Sequence, residues 1–184
     1  MKEIKRAVFL DRDGVINKVI FRNGKVSSPW KFEEFEILPD VKKVLTKFKK
    51  MGFLNIVVSN QPDIKRGFLK KEELEKMNQF LIQNLPIDEI MICPHDDNDY
   101  CNCRKPKPGL ILKARKKYEI DLKQSFFIGD GWKDVEAGKK AGCKVILKKT
   151  NYNKNIQKGP DFIVSSLNEA LEIIENSIQK IQKI

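Results

Sequence analysis

The chain has 184 residues, of which 41% are hydrophobic and 33% are charged, and its formal net charge is +11. That length fits a single domain over 1–184, and no apolar run approaches the ~20 residues that cross a bilayer. The apolar stretch after the basic N-terminus ends after four residues, too short for a signal-peptide core. Because 30 of the 36 basic residues are lysines scattered along predicted helices, a solvated lysine face explains the charge better than a nucleic-acid-binding stripe does. We expect a cytoplasmic monomer with no nucleic-acid or membrane partner.

The first predicted element is a short buried strand at Ala7–Leu10, and it leads directly into Asp11, Arg12, Asp13 and Gly14. Open α/β sheets bind ligands outside the carboxyl ends of their strands, which is where the two aspartates would lie. Alternation along the chain should send both carboxylates to one side and Arg12 to the other. The alternative is a polar turn that merely ends a strand.

The next predicted elements alternate between strand and helix. An irregular flap is expected at 18–35, and a helix with Asp40 as N-cap and Gly52 as C-cap follows it. A polar loop is expected at 151–160. The remaining predicted strands cover 53–58, 89–92, 125–128, 144–147 and 161–164, and the remaining helices cover 71–84, 110–118, 132–141 and 167–181. This alternation predicts an α/β fold, a Rossmann-like parallel sheet with helices on both faces.

The loop after the third predicted strand carries the histidine and three of the four cysteines of the chain. Cys93 and His95 form one pair, and Cys101 and Cys103 form the other. Two such pairs supply the four sulfur and nitrogen ligands of a closed, structural zinc site. A disulfide is the alternative, and the absence of a signal-like segment together with the included histidine disfavours it. Cys143 is expected to be a buried core thiol.

Polar groups follow four of the predicted strands, and parallel strands bring their carboxyl ends to one edge. The groups are Asp11 and Asp13, then Ser59 and Asn60, then Arg104 and Lys105, then Asp130 and Asp134. The carboxylates suit Mg²⁺ completed by water and a phosphate, and the hydroxyl, amide and cations suit phosphoryl oxygens.

These motifs, in this order, resemble the haloacid-dehalogenase (HAD) superfamily of aspartate-nucleophile phosphohydrolases. The zinc loop followed by Arg104-Lys105-Pro106 is similar to one branch, the D-glycero-D-manno-heptose 1,7-bisphosphate 7-phosphatases and the histidinol-phosphate phosphatases. The intervals from Asp11 to Ser59 and from Ser59 to Lys105 are 48 and 46 residues, which leaves no room for a cap domain. Substrate selection is therefore expected to fall to the flap and the zinc loop.

The resemblance implies a role for each matching residue. Asp11 would be the nucleophile and Asp13 the acid and base, while Ser59, Asn60, Arg104 and Lys105 would bind the phosphoryl group or substrate. Mg²⁺ would bind Asp11, the main-chain carbonyl of Asp13 and Asp130, with Asp134 supporting the metal shell. Zn²⁺ would be structural. Family members often have a basic residue where this chain has Gly131, followed here by Trp132.

The resemblance implies an Mg²⁺-dependent phosphatase that acts on a small phosphorylated sugar. The 7-phosphate of the heptose bisphosphate is the first choice, in nucleotide-heptose and lipopolysaccharide precursor synthesis, because the segment up to Asn17 and the Pro108-Gly109 pair resemble that group. Histidinol phosphate is an alternative substrate. Two further alternatives are a polynucleotide-end phosphatase and a non-catalytic nucleic-acid-binding protein.

Overall fold

A six-stranded parallel sheet forms the centre of the computed structural model, which describes residues 5–153 and 159–182. The strands are β1 (Arg6–Leu10), β2 (Ile20–Arg22), β3 (Lys25–Ser27), β4 (Phe53–Asn60), β5 (Glu89–Cys93), β6 (Phe126–Gly129), β7 (Lys144–Lys148) and β8 (Phe162–Val164). The helices are α1 (Val41–Lys50), α2 (Lys71–Asn84), α3 (Gly109–Tyr118), α4 (Trp132–Ala141) and α5 (Leu167–Gln182). The predicted α/β class is confirmed.

The strand order is β5-β4-β1-β6-β7-β8, and every neighbouring pair is parallel. The chain builds outward from β1 through β4 to β5, and then returns to the other side of β1 with β6. This change of direction creates a crevice at the carboxyl end of β1, where open α/β sheets bind ligands. Asp11 is the first residue beyond that end.

Apolar residues cover the sheet on both faces. On one face, Val44 and Phe48 of α1 and Ile174 of α5 belong to one buried cluster with strand residues. On the other face, Ile111 of α3 and Ala137 of α4 belong to a second cluster. Since both faces are covered, the interiors of the six strands are apolar, except for the buried and hydrogen-bonded Asn55 of β4.

The segment 18–35 is more regular than the sequence analysis expected. It contains the antiparallel hairpin β2–β3 and a single 3-10 turn at Phe32–Glu34. Arg22 pairs with Lys25, so Asn23-Gly24 forms a two-residue hairpin loop with φ of 50° and 72°. Asn-Gly favours this turn because both positions need positive φ, and that signal was overlooked.

Of the two predicted caps of α1, the N-cap position of Asp40 is confirmed and the C-cap is not Gly52. Asp40 precedes α1 with a φ of 63°, but its side chain caps no helix N–H and instead accepts a hydrogen bond of 3.0 Å from Asn168. Gly52 lies one residue beyond the C-cap, Met51. Its φ of +82° is a left-handed conformation that glycine adopts without strain.

The remaining boundaries lie close to their predictions, and β4 continues through Ser59 and Asn60, which the sequence analysis left outside the strand. The intervals β1–β4 and β4–β5 are fully described, and each contains one helix and no cap domain. Of the predicted loop 151–160, residues 154–158 lie outside the described part. Across the described residues, every helix is too short or too polar to span a bilayer.

Candidate active site

The predicted site residues meet at the carboxyl edge of the sheet. Asp11 and Asp13 follow β1, Ser59 is the last residue but one of β4, Lys105 comes from the loop after β5, and Asp130 follows β6. All five line one cleft of about 1050 Å³. The parallel strands therefore bring these groups together at one edge of the sheet, as predicted.

Lys105 is the buried cation of the cleft. Its ammonium lies 2.8 Å from Asp11 Oδ1 and 2.6 Å from Asp134 Oδ1, and it donates to the carbonyl of Val58 at 2.9 Å. Burial favours the neutral amine, but the two carboxylates outweigh it and raise the pKa of Lys105. The side chain is therefore a fixed positive charge at the phosphoryl position that the motif predicts.

Asn60 holds the main chain of Lys105. Its Nδ2 donates to the carbonyl of Lys105, and its Oδ1 accepts the N–H of Lys105, both at 3.0 Å. The amide of Asn60 thus fixes where the lysine leaves the loop. Direct substrate binding by Asn60 stays a prediction.

Three carboxylates crowd together beside Lys105. Oxygens of Asp11, Asp130 and Asp134 all lie within 4.8 Å of one another. Burial, with repulsion from Asp134, raises the pKa of Asp130 to about 7 and that of Asp11 well above its usual range. Such a cluster of hard oxygen donors in a buried place fits a divalent cation of the Mg²⁺ type.

Asp134 lies in the first turn of α4, which places it in this cluster. Its Oδ2 accepts the N–H groups of Asp130 and Gly131 at 3.2 and 2.9 Å. The carboxylate thereby satisfies two main-chain donors at the helix N-terminus, a favourable place for negative charge. Its other oxygen remains available to Lys105.

Three side chains hold the carboxylate of Asp13. Oδ1 accepts from Asn17 at 2.9 Å, Oδ2 accepts from Gln61 at 2.6 Å, and the guanidinium of Arg12 approaches both oxygens at 3.1 and 3.2 Å. Asp11 and Asp13 face the same cleft, as alternation predicts. Arg12 was expected to point away; its side chain is instead fully buried and turns back to Asp13, because a buried guanidinium requires a partner.

Several residues around the cleft were missed by the sequence analysis. Gln61 donates to Asp13 and Ser59, and Tyr152 donates to Asp130 Oδ2 at 2.5 Å. Asn153 donates to the carbonyl of Asp130, and Lys148 donates to that of Gly14 at 2.9 Å. Lys148 is the last residue of β7. Because the carboxyl end of β7 lies at the same edge of the parallel sheet, the sequence did contain a signal for a role of Lys148 near the cleft.

The four predicted zinc ligands form a cluster. The three sulfurs of Cys93, Cys101 and Cys103 are separated by 3.0 to 3.7 Å, and Nδ1 of His95 lies 3.6 Å from Cys93 and 3.2 Å from Cys103. Sulfurs each 2.3 Å from a tetrahedral zinc ion would be about 3.8 Å apart. The cysteines are free thiols rather than disulfides. The donor set, gathered within 4.8 Å, therefore fits a closed zinc site.

Arg104 is the last residue of the loop that carries this cluster, the metal loop 93–104, and its side chain turns back towards that loop. Its Nε donates to Asp97 at 2.8 Å, and Nη1 donates to the carbonyl of His95 at 3.1 Å. Arg66 makes a two-pronged contact with Asp96 at 2.6 and 2.7 Å. Arg104 thus stabilises the metal loop, and its predicted contact with substrate stays a prediction.

Aromatic side chains form the outer wall of the cleft. Trp30 stacks on Phe68 with ring centres 4.9 Å apart, and the guanidinium of Arg22 covers Trp30 at 3.8 Å. Trp132, at the first position of α4, is half exposed on the cleft wall. At the preceding Gly131, the chain offers only main-chain atoms to the cleft.

The chain is similar to curated proteins and to solved structures. A HAD-hydrolase-like family model matches residues 102–170. D-glycero-beta-D-manno-heptose-1,7-bisphosphate 7-phosphatase from Helicobacter pylori is 39% identical, with 76% of this chain and 80% of that protein covered. The alpha-heptose counterpart from Campylobacter jejuni is 36% identical, with 77% and 81% covered. A crystal structure of the D,D-heptose 1,7-bisphosphate phosphatase from B. bronchiseptica, complexed with magnesium and phosphate, has a TM-score of 0.79 at 25% identity, with 94% and 99% covered.

Proposed function

The chain belongs to the heptose-1,7-bisphosphate 7-phosphatase family of the HAD superfamily, and we propose that it removes the 7-phosphate of D-glycero-D-manno-heptose 1,7-bisphosphate. The observation that carries the proposal is the placement of Asp11 and Asp13 in one cleft with the buried ammonium of Lys105 at 2.8 Å from Asp11. A nucleophile, an acid and a fixed cation are the parts that phosphoryl transfer through a carboxylate needs.

Asp11 attacks the phosphorus of the 7-phosphate, and the bond from phosphorus to the sugar oxygen breaks. Asp13 gives its proton to that oxygen, so the sugar leaves as an alcohol and Asp11 carries the phosphoryl group. Water then attacks the phosphorus, Asp13 takes the proton of the water, and phosphate and free Asp11 are released. Ser59 and Lys105 hold the phosphoryl oxygens throughout.

Mg²⁺ would be held by Asp11, Asp130 and the main-chain carbonyl of Asp13, with Asp134 beside them. When bound, it supplies positive charge that offsets the charge of the phosphoryl oxygens. Lys105 contributes a second positive charge, 2.8 Å from Asp11. Asp134 keeps that lysine in place through its Oδ1.

Zn²⁺ would be held by Cys93, His95, Cys101 and Cys103 and would have a structural role, since four protein ligands fill a tetrahedral site. The loop it organises leads directly to Lys105. Metal binding would therefore fix both a wall of the cleft and the approach to the catalytic cation.

The substrate class agrees with the relatives, whose names specify alpha and beta anomers of the heptose in different species. Both anomers share the 7-phosphate, so this chemistry serves either. The product would supply nucleotide-heptose and lipopolysaccharide precursor synthesis. We expect a cytoplasmic monomer without a nucleic-acid partner, in keeping with the four free thiols.

A phosphate-release panel tests the function. We expect kcat/KM for one or both anomers of the heptose bisphosphate to exceed that for histidinol phosphate by at least about tenfold. A preference for histidinol phosphate would overturn the substrate assignment. Asp11→Asn should lose at least about 10⁴-fold in kcat, since it removes the nucleophile. The matched control is Asp40→Asn, because Asp40 does not line the cleft and accepts a hydrogen bond from Asn168. This variant should keep its activity.

A further inference from the structure

Gln61 connects the two chemical functions of the cleft through one amide group. Its Nε2 donates to Asp13 Oδ2 at 2.6 Å and to Ser59 Oγ at 2.9 Å. An amide nitrogen carries two hydrogens, and each of these bonds uses one of them. We propose that Gln61 is a positioning residue that orients both the acid–base carboxylate and the phosphate-binding hydroxyl. The role rests on the phosphatase chemistry proposed above.

The main chain of Gln61 is rigidly placed. Its N–H donates to the carbonyl of Cys93, the last residue of β5, at 2.7 Å. Gln61 directly follows β4, which is paired with β5 up to Asn60 and Cys93. The side chain is therefore fixed at the junction of two central strands, and it is fully buried. A site placed on strands is held more precisely than a site on a loop.

The orientation of the amide follows from its neighbours. A carboxylate oxygen at 2.6 Å accepts a hydrogen bond, so nitrogen rather than oxygen must face Asp13. The carbonyl oxygen of Gln61, Oε1, is then buried without a hydrogen-bond partner among the described residues. An apolar side chain of similar volume would avoid this unsatisfied group. Packing alone does not explain a glutamine here, whereas its two donated bonds do.

The two bonds have distinct chemical consequences. At Ser59, the hydroxyl oxygen accepts from Gln61, so its own hydrogen is free to point at a phosphoryl oxygen. At Asp13, the bond to Oδ2 complements those from Asn17 and Arg12 and fixes the plane of the carboxylate. A correctly aimed carboxylate transfers its proton faster, since proton transfer depends on geometry.

Gln61→Met tests the proposal, because methionine has a similar volume and donates no hydrogen bond. The measurement is the first turnover with two substrates in Mg²⁺: the heptose bisphosphate, whose alcohol must be protonated, and p-nitrophenyl phosphate, whose leaving group needs no proton. We expect the first turnover to slow by about 100-fold with the heptose substrate. The burst of p-nitrophenolate should stay within about threefold of the unmodified protein, which would show that attack by Asp11 is intact. Equal slowing of both would indicate a purely structural role and overturn the proposal.

The Ser59 half of the proposal has its own measurement, inhibition by inorganic phosphate. Gln61→Met should raise the inhibition constant about 3- to 10-fold, which is the effect of a lost neutral hydrogen bond. The same change added to Ser59→Ala should raise it no further, because the two residues act together. An independent, additive increase in the double variant would contradict the link.

Asn17→Leu is the matched control, since Asn17 contacts Asp13 Oδ1 but not Ser59. It should slow the heptose first turnover and leave the phosphate inhibition constant unchanged. Gln61→Leu, which also donates no hydrogen bond, replaces Gln61→Met if the latter fails to fold, with the same expectations. If the unmodified protein rejects the heptose bisphosphate, the proposed substrate is wrong; the Gln61 test then uses whichever alkyl phosphate the protein hydrolyses.

Discussion

The strand-edge centre and the rim of the cleft are built in different ways. The centre consists of Asp11, Asp13, Ser59, Lys105 and Asp130, and it lies at the ends of strands or is held by bonds to them. The rim consists of the segment 20–35 with the hairpin β2–β3, the segment 63–68, the metal loop 93–104 and residues 151–153. It is held by ion pairs, aromatic stacking and the cysteine–histidine cluster.

We expect this difference to separate the residues that catalyse the reaction from those that select the substrate. Groups at the centre are mostly buried and fixed to the sheet, which preorganises them for a charged transition state. Groups at the rim are partly exposed, and exposed ion pairs contribute little individually. Changes at the centre should therefore act on kcat, and changes at the rim should act mainly on KM, except where a rim element reaches into the centre.

The metal loop is such an exception, and it provides the largest expected rim effect. Cys103 lies two residues before Lys105, so loss of zinc should displace the lysine as well as the loop. Cys103→Ser should weaken zinc binding and lower kcat/KM, each by about 10- to 100-fold. Metal analysis of the purified protein, together with kinetics, checks this.

Cys143 is the matched control for that change. It is a buried cysteine that packs in the core cluster and is separate from the four ligands. Cys143→Ala should keep its zinc and its kcat. If Cys103→Ser retains wild-type kcat after losing zinc, the bonds to Asn60, Val58 and the carboxylates hold Lys105 without the metal, and the loop belongs entirely to the rim.

Tyr152 links the rim to the carboxylate cluster of Asp11, Asp130 and Asp134. Its hydroxyl donates to Asp130 Oδ2, and its ring meets Phe21 of the hairpin edge-on at 5.9 Å. Burial and the charge of Asp130 raise the pKa of Tyr152, so the hydroxyl stays protonated and donates. Tyr152→Phe should raise the Mg²⁺ concentration for half-maximal activity about tenfold, with kcat at saturating Mg²⁺ little changed.

Calorimetric titration of Mg²⁺ gives a second readout for the same variant, without turnover. Tyr118→Phe is the control, because Tyr118 ends α3 and interacts with Glu89 at the opposite end of the sheet. An unchanged Mg²⁺ affinity in Tyr152→Phe would show that the hydroxyl does not orient Asp130.

The residues of the centre could be predicted from the sequence far better than those of the rim, for a physical reason. Asp11, Ser59 and Asp130 follow apolar strands, and parallel pairing then dictates that they meet. The rim depends on contacts between distant segments, such as Tyr152 with Phe21 or Trp30 with Phe68. No local sequence pattern specifies those partners. The hairpin turn at Asn23-Gly24 is the exception, since that dipeptide predicts a two-residue hairpin loop. Gln61 was missed because its role depends on a side-chain orientation that strand alternation does not fix.

Arg66 joins the two sides of the rim. It binds Asp96 of the metal loop at 2.6 and 2.7 Å and Asp63 at 3.3 Å, while Asp63 accepts the indole N–H of Trp30 at 2.8 Å. Arg66→Ala should raise KM for the heptose bisphosphate about two- to fivefold, since the pair is partly exposed. We expect kcat to stay within about twofold, because the centre is untouched.

Lys117→Ala is the matched control for Arg66→Ala. Lys117 forms a comparable exposed ion pair with Glu89 at 2.7 Å, at the far end of β5. It should change neither kinetic constant. A fall in kcat for Arg66→Ala without a change in KM would place Arg66 with the centre and break the division between the two regions.

Glu34 gives the smallest expected effect and tests whether the hairpin is held by charge. Burial alone would raise the pKa of Glu34, but the N–H of Trp30 and the guanidinium of Arg22 outweigh it and lower the pKa. Because the folded pKa is below the ordinary 4.5, the stabilisation is complete above that pH and is lost as the pH falls through the folded value.

In a Trp132→Phe background, where Trp30 is the remaining tryptophan, Trp30 fluorescence should change as the pH falls below about 4.5. Glu34→Gln should remove that change and alter KM at neutral pH by about twofold or less, whereas an identical acid transition in the variant would show that stacking, not charge, holds this part of the rim.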